Sequence, residues 1–184
     1  MIELNITDET SQLNTVVLGI PQNFGGTPKI AEAYDPKSKQ HIIGGTFPKQ
    51  HDIIKEMNEF SEVLIKHDVK VLRPVDISEL NQVFARDIGF VIDDKFVIPN
   101  ILSNRAEEIG GINFIIDEIP SENKISVPKD ARIEGGDVIP WKGNLFVGYS
   151  KKEDFDKYTV ARTNEAGIDF LRCKLSNFYI FPIE

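Results

Sequence analysis

Two stretches of this sequence, 50 residues apart, repeat one pattern of strands and turns. Residues 87–97 and 137–147 each begin with an aspartate, continue through an apolar run and a turn, and end in a Phe-Val pair at the same offset. After each stretch, a polar segment contains an arginine, Arg105 or Arg162, that opens a short predicted helix. A recurring unit of hairpin and helix is typical of folds assembled from similar modules around an axis. The repeat therefore predicts an α/β fold built from such modules.

The residues before the repeat predict strands and a helix in alternation. Thr15–Ile20 and Val69–Leu72 have the short apolar runs of strands. Between the strands, a helix with Pro48 in its first turn and its end near His67 is predicted from apolar residues spaced by three and four positions: Ile53, Met57, Phe60 and Leu64. Pro21–Phe47 is predicted as a long irregular segment, either a surface connection or an active-site flap. The competing architecture, an open parallel sheet, lacks its usual phosphate-binding loop, because Gly135-Gly136 precedes a strand rather than a helix.

Composition excludes several classes of function. The formal net charge is −8, whereas a surface that binds nucleic acid needs an excess of Lys and Arg. No apolar run approaches the roughly 18–20 residues of a membrane span. The single cysteine, Cys173, excludes an internal disulfide and a Cys-rich zinc site, and it indicates a reducing compartment, by default the cytoplasm. The length of 184 residues predicts one domain, 1–184.

Two carboxylates stand at equivalent places in the repeat, each at a turn that enters a strand. Asp87 follows Phe-Ala-Arg, and Glu134 is followed by two glycines that allow unusual backbone conformations or a close approach by a ligand. If the two carboxylates converge, they suit a planar cation, because a guanidinium offers five N–H donors in a rigid fork. The alternative is that both are turn residues or ion-pair partners of Arg86 and Arg132.

Three motifs together resemble the amidinotransferase and arginine deiminase family, whose members modify guanidino groups. The motifs are 81–87 (Asn-Gln-Val-Phe-Ala-Arg-Asp), 133–138 (Ile-Glu-Gly-Gly-Asp-Val) and 161–164 (Ala-Arg-Thr-Asn), and the similarity extends from about Val16 to about Leu171. The resemblance implies the pentein fold, an α/β-propeller, with roughly three of its five modules in this chain. The sequence leaves open whether such a short chain is a cloned fragment, a natural truncation or an altered reading frame.

The resemblance also implies roles for particular residues. Asp87 and Glu134 correspond to the carboxylates that grip the guanidinium in this family, Phe84 to a ring against the substrate, and Arg162 to a group that binds a substrate carboxylate. Asn81 and Asp137, in the same motifs, are further substrate-binding candidates. The implied ligand is a small guanidino compound such as arginine. No metal or organic cofactor is expected, because the family's chemistry uses a thiol and no His/Cys cluster has ligand spacing.

The family's nucleophile and base have no match in this sequence. In the family, a cysteine thiolate attacks the guanidinium carbon and a histidine of an H-x-D motif moves protons. Here His41, His51 and His67 all precede Glu134, and none stands in H-x-D. Cys173 is predicted just after a short helix, 164–172, in surroundings unlike those of the family's nucleophile, so it is interpreted as a packing residue.

The chain is therefore expected to be inactive alone, and transferase and hydrolase activity of the parent enzyme stay open. The alternative is a pentein module without catalysis that acts in ligand binding or assembly. At the end of the sequence, 178–183 is an apolar run that predicts a strand. An exposed strand of this kind pairs readily with another chain, so self-association through it is expected.

Overall fold

A computed structural model describes residues 2–23, 25–33, 36–151 and 162–184. It divides into two compact units, one of residues 13–85 and one that combines the N-terminal residues up to Gln12 with those from Arg86 onward. Each unit is described by itself below. The prediction of a single domain stays a prediction. Among the helices of the described residues, none has both the length and the apolar composition that a membrane crossing requires.

The 13–85 unit contains two parallel strands and two helices. Strand β1 (Thr15–Val17) pairs with β2 (Lys70–Leu72), and the chain between them forms α1 (Pro36–Ile43) and α2 (Gln50–Lys66). The predicted strand Thr15–Ile20 thus ends early, and Ile20 instead bridges to Gln82. Helix α1 corrects the prediction that Pro21–Phe47 is irregular throughout.

Helix α2 matches its predicted position, but its apolar face is less buried than the spacing predicts. None of its residues is fully buried, and Phe60, predicted on the inner face, is 50% exposed. Pro48 lies before the N-cap residue Lys49 rather than in the first turn. The hydrophobic period thus identified the helix correctly, whereas the depth of its packing depends on neighbours that a local pattern does not reveal.

The second unit contains two three-stranded sheets with the same order and strand directions. In the first sheet, β3 (Phe90–Ile92) and β4 (Lys95–Ile98) form a hairpin, and β5 (Lys124–Ser126) lies parallel to β4. In the second sheet, β6 (Val138–Trp141) and β7 (Asn144–Gly148) form a hairpin, and β8 (Tyr179–Ile183) lies parallel to β7. Both predicted hairpins are therefore present. The number of modules and their arrangement around an axis stay predictions.

The helical segments of this unit lie between the strands. Between β4 and β5 the chain forms a 3-10 helix at Ala106–Ile112, followed by α3 (Asn113–Glu118). Between β7 and β8 it forms α4 (Glu165–Lys174). The two predicted arginines thus stand just before their helices. Cys173 lies within the last turn of α4 and is exposed, which corrects both its predicted place after the helix and its interpretation as a packing residue.

One hydrophobic core joins both sheets and α4. Its members come from strands β3, β4, β6 and β7, from the segment before Glu134 and from the inner face of α4: Phe90, Ile92, Val97, Ile133, Val138, Leu145, Val147, Ile168, Leu171 and Leu175. Alternate residues of β6 and β7 point into this core, as expected for strands with one buried face. Ile133 and Val138, which flank Glu134 and the turn that follows it, are therefore anchored in this core.

The N-terminal residues attach to the outer ends of both hairpins. Ile6 pairs with Asp93 in the first hairpin turn, and the Lys142 amide of the second turn donates to the carbonyl of Thr7 at 2.9 Å. Glu9 accepts two hydrogen bonds from Arg86, at 2.6 and 3.3 Å. These contacts place an early segment of the chain on a unit formed mostly by later residues.

Candidate functional site

Two short 3-10 turns bring the ends of the repeated motifs together. One turn, Ala85–Ile88, carries Asp87, and the other, Gly135–Asp137, follows Glu134 directly, so that both aspartates of the repeat lie in turns rather than in strands. Arg86 joins the turns, since its Nε donates to the Gly135 carbonyl at 2.9 Å and its Nη2 to the Val138 carbonyl at 2.7 Å.

The two glycines of the second turn are required by close approach of the chain itself. A Cβ on Gly135 would lie 2.1 Å from the Arg86 carbonyl oxygen, and a Cβ on Gly136 would lie 2.6 Å from Asp87 Oδ1. The Gly136 amide donates to that same oxygen at 3.1 Å. Neither glycine has a positive φ. The glycines thus do not use the unusual backbone conformations that they allow, and the close approach that they permit is made by Arg86 and Asp87.

Asp87 and Glu134 converge and are bridged by the guanidinium groups of two arginines. Arg105 Nη1 lies 2.8 Å from Asp87 Oδ2 and 3.5 Å from Glu134 Oε2. Arg162 Nη1 lies 2.8 Å from Glu134 Oε2 and 3.4 Å from Asp87 Oδ2. The same two carboxylate oxygens thus receive both cations.

The alternative ion-pair partners considered from the sequence are wrong. Arg86 pairs with Glu9, and Arg132 donates from Nη1 to the Ile101 carbonyl at 2.8 Å. Neighbours in sequence therefore gave no guide to the charges that face each other, because adjacent residues of these turns point in different directions.

Two further carboxylates complete what we call the carboxylate–arginine cluster: Asp87, Arg105, Glu108, Glu134, Asp137 and Arg162. Glu108 accepts from Arg105 Nε and Nη2, each at 2.8 Å. Asp137 Oδ2 accepts from the Arg162 amide at 3.1 Å and from Thr163 Oγ1 at 2.8 Å. Glu108 therefore binds the side chain of Arg105, whereas Asp137 binds the backbone of Arg162.

The cluster is largely shielded from solvent. The exposed side-chain fractions are 2% for Glu134, 3% for Glu108, 7% for Arg105, 13% for Asp87 and 27% for Arg162. Asp87 and Arg162 are therefore the most exposed members of the cluster among these five, and Glu134 is the most buried.

Burial and pairing act in opposite directions on the pKa values of the cluster. Burial raises the pKa of Glu134, and the charges of Arg162 and Arg105 oppose this rise. Burial likewise raises the pKa of Glu108, against the hydrogen bonds from Arg105, and that of Asp137, against the hydrogen bond from Thr163. For Arg105, burial alone lowers the pKa, but hydrogen bonds to Glu108 and Asp87 raise it above its ordinary value. The arginines therefore favour the ionised carboxylates.

Four of the predicted site residues, Asp87, Glu134, Asp137 and Arg162, meet in this cluster. The other two, Asn81 and Phe84, belong to the 13–85 unit. The Asn81 side chain accepts from the Val83 amide at 3.2 Å, and the ring of Phe84 is 59% exposed. Ala161, the first residue of the third motif, lies outside the described residues. The roles predicted for Asn81 and Phe84 stay predictions.

Within the part of the chain that the structure describes, Cys173 forms no hydrogen bond with the cluster, and the three histidines belong to the 13–85 unit. His41 lies in α1, where its Nδ1 is 2.9 Å from Thr46 Oγ1, and His51 faces Asp52 in α2. Within the described residues, no group of three or more His, Cys, Asp or Glu side chains is arranged to hold a metal ion.

The sequence interpretation missed the roles of Arg105 and Glu108. It placed Arg105 only as the opening of a helix, and it gave Glu108 no role. Opposite charges three positions apart were nevertheless a usable signal, since such residues lie on the same face of a helical turn. Nothing local in the sequence indicated that this pair turns inward.

Known proteins share the fold of this chain, and the chain matches only part of their length. No protein-family model matches the sequence. The uncharacterized protein YkgA of Bacillus subtilis is 33% identical over 150 residues, which cover 79% of this chain and 49% of that protein. This chain thus spans about half the length of the curated relative.

Solved structures of guanidino-modifying enzymes superpose on almost the whole chain. SxtG, an amidinotransferase of saxitoxin biosynthesis from Microseira wollei, matches 98% of this chain and 62% of its own, with a TM-score of 0.70 and 19% identity. The N-terminal domain of ArgZ, a cyanobacterial arginine dihydrolase, matches 93% of this chain and 57% of its own, with a TM-score of 0.68 and 14% identity. The chain therefore has the α/β fold of the amidinotransferases and arginine deiminase-type enzymes, as the resemblance implies.

Proposed function

Because the chain has the fold of these enzymes, we propose that it forms the guanidinium-binding part of a guanidino-group-modifying enzyme of the amidinotransferase and arginine deiminase type. The observation that carries this proposal is the convergence of Asp87 and Glu134 on two guanidinium groups of the protein itself. A pair of carboxylates that holds such groups has the geometry to hold the same group of a ligand. Arginine or a related compound is the proposed ligand.

The charge of the cluster favours a cationic ligand. Among the described residues, the cluster contains four carboxylates and two guanidinium groups, a formal excess of two negative charges when all six are ionised. In a partly buried site, an uncompensated negative charge attracts a cation more strongly than it does in water. A bound guanidinium offsets one of these charges and adds hydrogen bonds to carboxylate oxygens. A neutral ligand of the same shape offsets no charge, and its N–H donors form weaker hydrogen bonds with the carboxylates.

Arg162 and its neighbours would then bind the rest of the ligand. Arg162 Nη1 donates a hydrogen bond to Glu134 Oε2 at 2.8 Å. Arg162 is also the most exposed of the four side chains that are bridged in this way. We propose that the ligand guanidinium takes this place and that Arg162 turns to the ligand's carboxylate. Asp137 holds the backbone amide of Arg162 meanwhile.

We further propose that this chain binds the guanidino compound without turning it over. The family's reaction needs a thiolate and a proton-transfer group, and acid–base transfer alone contributes roughly 10²–10⁴-fold to the rate. Cys173 is exposed on α4 and has no hydrogen-bonded histidine. Carboxylates that stabilise the cation equally in the ground and transition states do not accelerate the chemical step. On this proposal the chain supplies roughly three of the five pentein modules.

The binding test compares L-arginine with L-citrulline by isothermal titration calorimetry. Citrulline has a neutral ureido group in place of the guanidinium, so it matches arginine in shape but lacks the cation. We expect Asp87→Asn and Glu134→Gln each to weaken arginine binding by about 10- to 100-fold, since hydrogen bonds to charged groups contribute about 1.5–3 kcal/mol. Glu107→Gln, an exposed change beside the cluster, serves as the control. Equal affinity for arginine and citrulline contradicts the proposal.

The turnover test measures citrulline, ornithine and urea formed from arginine by the chain and by Cys173→Ala. We expect no product from either protein. Product that disappears in the variant would identify Cys173 as a nucleophile. Product from both proteins would require a mechanism without a thiol, and it would contradict the analogy with this enzyme type. Arginine binding without turnover also distinguishes the proposal from a purely structural pentein module.

A further inference from the structure

Glu108 is a buried carboxylate to which the proposed function gives no role. Its side chain is 3% exposed, and its two oxygens accept hydrogen bonds from Nε and Nη2 of Arg105, each at 2.8 Å. Two parallel N–H donors on one carboxylate fix the plane of a guanidinium as well as its position. Glu108 therefore determines how Arg105 is oriented.

The local backbone places these two side chains on one face. Arg105 is the residue before the 3-10 helix Ala106–Ile112, and the Glu108 amide donates to the Arg105 carbonyl at 2.9 Å. In a 3-10 helix, residues three positions apart lie directly above each other. The pair is thus formed within a single turn, and its geometry depends little on the rest of the fold.

This arrangement leaves one amino group of Arg105 for the central carboxylates. With Nε and Nη2 held by Glu108, Nη1 is directed at Asp87 Oδ2 at 2.8 Å and lies 3.5 Å from Glu134 Oε2. Two carboxylates that share a buried site repel each other, and a fixed cation between them offsets this repulsion. Lysine could not serve both sides, because its ammonium lacks the planar fork.

We propose that Glu108 is a positioning residue for the guanidinium site, which fixes Arg105 so that Asp87 and Glu134 stay turned toward a common point. The inference rests on the proposed function for the identity of the ligand. The Glu108–Arg105 pair does not contact the ligand; it holds the two carboxylates that do. Its effect on binding is therefore indirect.

The first test needs no ligand and follows the carboxyl carbon of Glu134 by NMR in a pH titration. The charged groups that face Glu134 are Arg105, Arg162 and Asp87. If Glu108→Gln releases Arg105, the pKa of Glu134 rises further, because the charge of Arg105 no longer opposes the effect of burial. If the variant only removes a negative charge while Arg105 stays in place, the pKa falls or is unchanged. We expect the rise, with Glu107→Gln unchanged, and either other result overturns the proposal.

The second test measures L-arginine affinity by calorimetry. We expect Glu108→Gln to weaken binding about tenfold. A double variant, Arg105→Met with Glu108→Leu, removes the ion pair without leaving an unpaired buried charge, a replacement that commonly preserves folding. We expect the double variant to lose affinity at least as much. Wild-type affinity in the double variant would show that the pair only stabilises the fold, and it would overturn the proposal. If the wild-type chain itself binds no arginine, the proposed function fails, whereas the Glu134 titration still decides the role of Glu108.

Discussion

Replacing Gly135 by alanine tests how tightly the two turns of the site are packed. The new Cβ would lie 2.1 Å from the Arg86 carbonyl oxygen and 2.8 Å from Cδ1 of Phe90. The first contact is with backbone, whose displacement also disturbs the hydrogen bond from Arg86 Nε to the Gly135 carbonyl. Overpacking typically costs about 1–3 kcal/mol. Because the backbone has to move, we expect a loss near the upper end, about 3 kcal/mol.

The assay is urea unfolding followed by the fluorescence of Trp141. This residue is the single tryptophan and lies in β6, directly after the turn, so it reports on the unit that carries the site. With a urea dependence of about 2 kcal/mol/M, a loss of about 3 kcal/mol moves the midpoint down by about 1.5 M.

Gly148→Ala, at the end of strand β7, is the matched control. The atoms nearest to a Cβ there belong to Asp137 and lie 3.9–4.0 Å away, an ordinary contact distance. We expect its stability to change by less than about 1 kcal/mol. If Gly135→Ala and Gly148→Ala unfold at the same urea concentration, the close approach of the two turns is refuted as the reason for the glycine.

Two further predictions concern pH dependence and assembly. Burial raises the folded-state pKa of Asp137 above 3.8, so its contribution to stability falls as pH rises from 3.8 through the folded pKa. In Asp137→Asn, the side-chain oxygen still accepts both hydrogen bonds. We expect this variant to lose the contribution of Asp137 to the fall of the urea midpoint between pH 4 and pH 7. If the midpoint depends on pH equally in the variant and the wild type, the prediction is contradicted. For assembly, we expect sedimentation to show that the chain self-associates and that Phe181→Lys is a monomer. The reason is that a charge on the edge strand β8 prevents pairing with another chain. A wild-type monomer at high concentration would contradict the prediction.

The hairpins of the fold were predictable from the sequence because their signals are local. Alternating apolar residues and a two-residue turn define β6 and β7, and Lys142 and Gly143 adopt the positive φ values of 46° and 80° expected in such a turn. Helix α1 was not predicted, since Pro36–Ile43 has a weak apolar pattern and no fully buried residue. Pairing of β5 and β8 with distant hairpins depends on tertiary contacts that no local pattern encodes.

Of the cluster, Asp87, Glu134, Asp137 and Arg162 were predictable from the sequence, but Arg105 and Glu108 were not. Asp87 and Glu134 were identified because they stand at turns that begin the two repeats and because their motifs resemble those of the family. Arg105 and Glu108 were missed because their burial depends on contacts with residues that are distant in the sequence, such as Asp87 and Glu134. A surface ion pair and a buried one have the same sequence pattern, and only the surroundings distinguish them.

The attachment of residues 2–12 to the later part of the chain has a consequence for the order of folding during synthesis. Residues 13–85 are contiguous, so their unit is complete as soon as they have left the ribosome. The segment that carries Ile6 and Glu9 is made before that unit, but its full set of partners, Arg86, Asp93 and Lys142, is present only after the second hairpin has been made. Translation proceeds at about 5–20 residues per second, so this segment waits for several seconds without its partners. Residues 6–9 are therefore synthesised before the 13–85 unit but complete their native contacts after it.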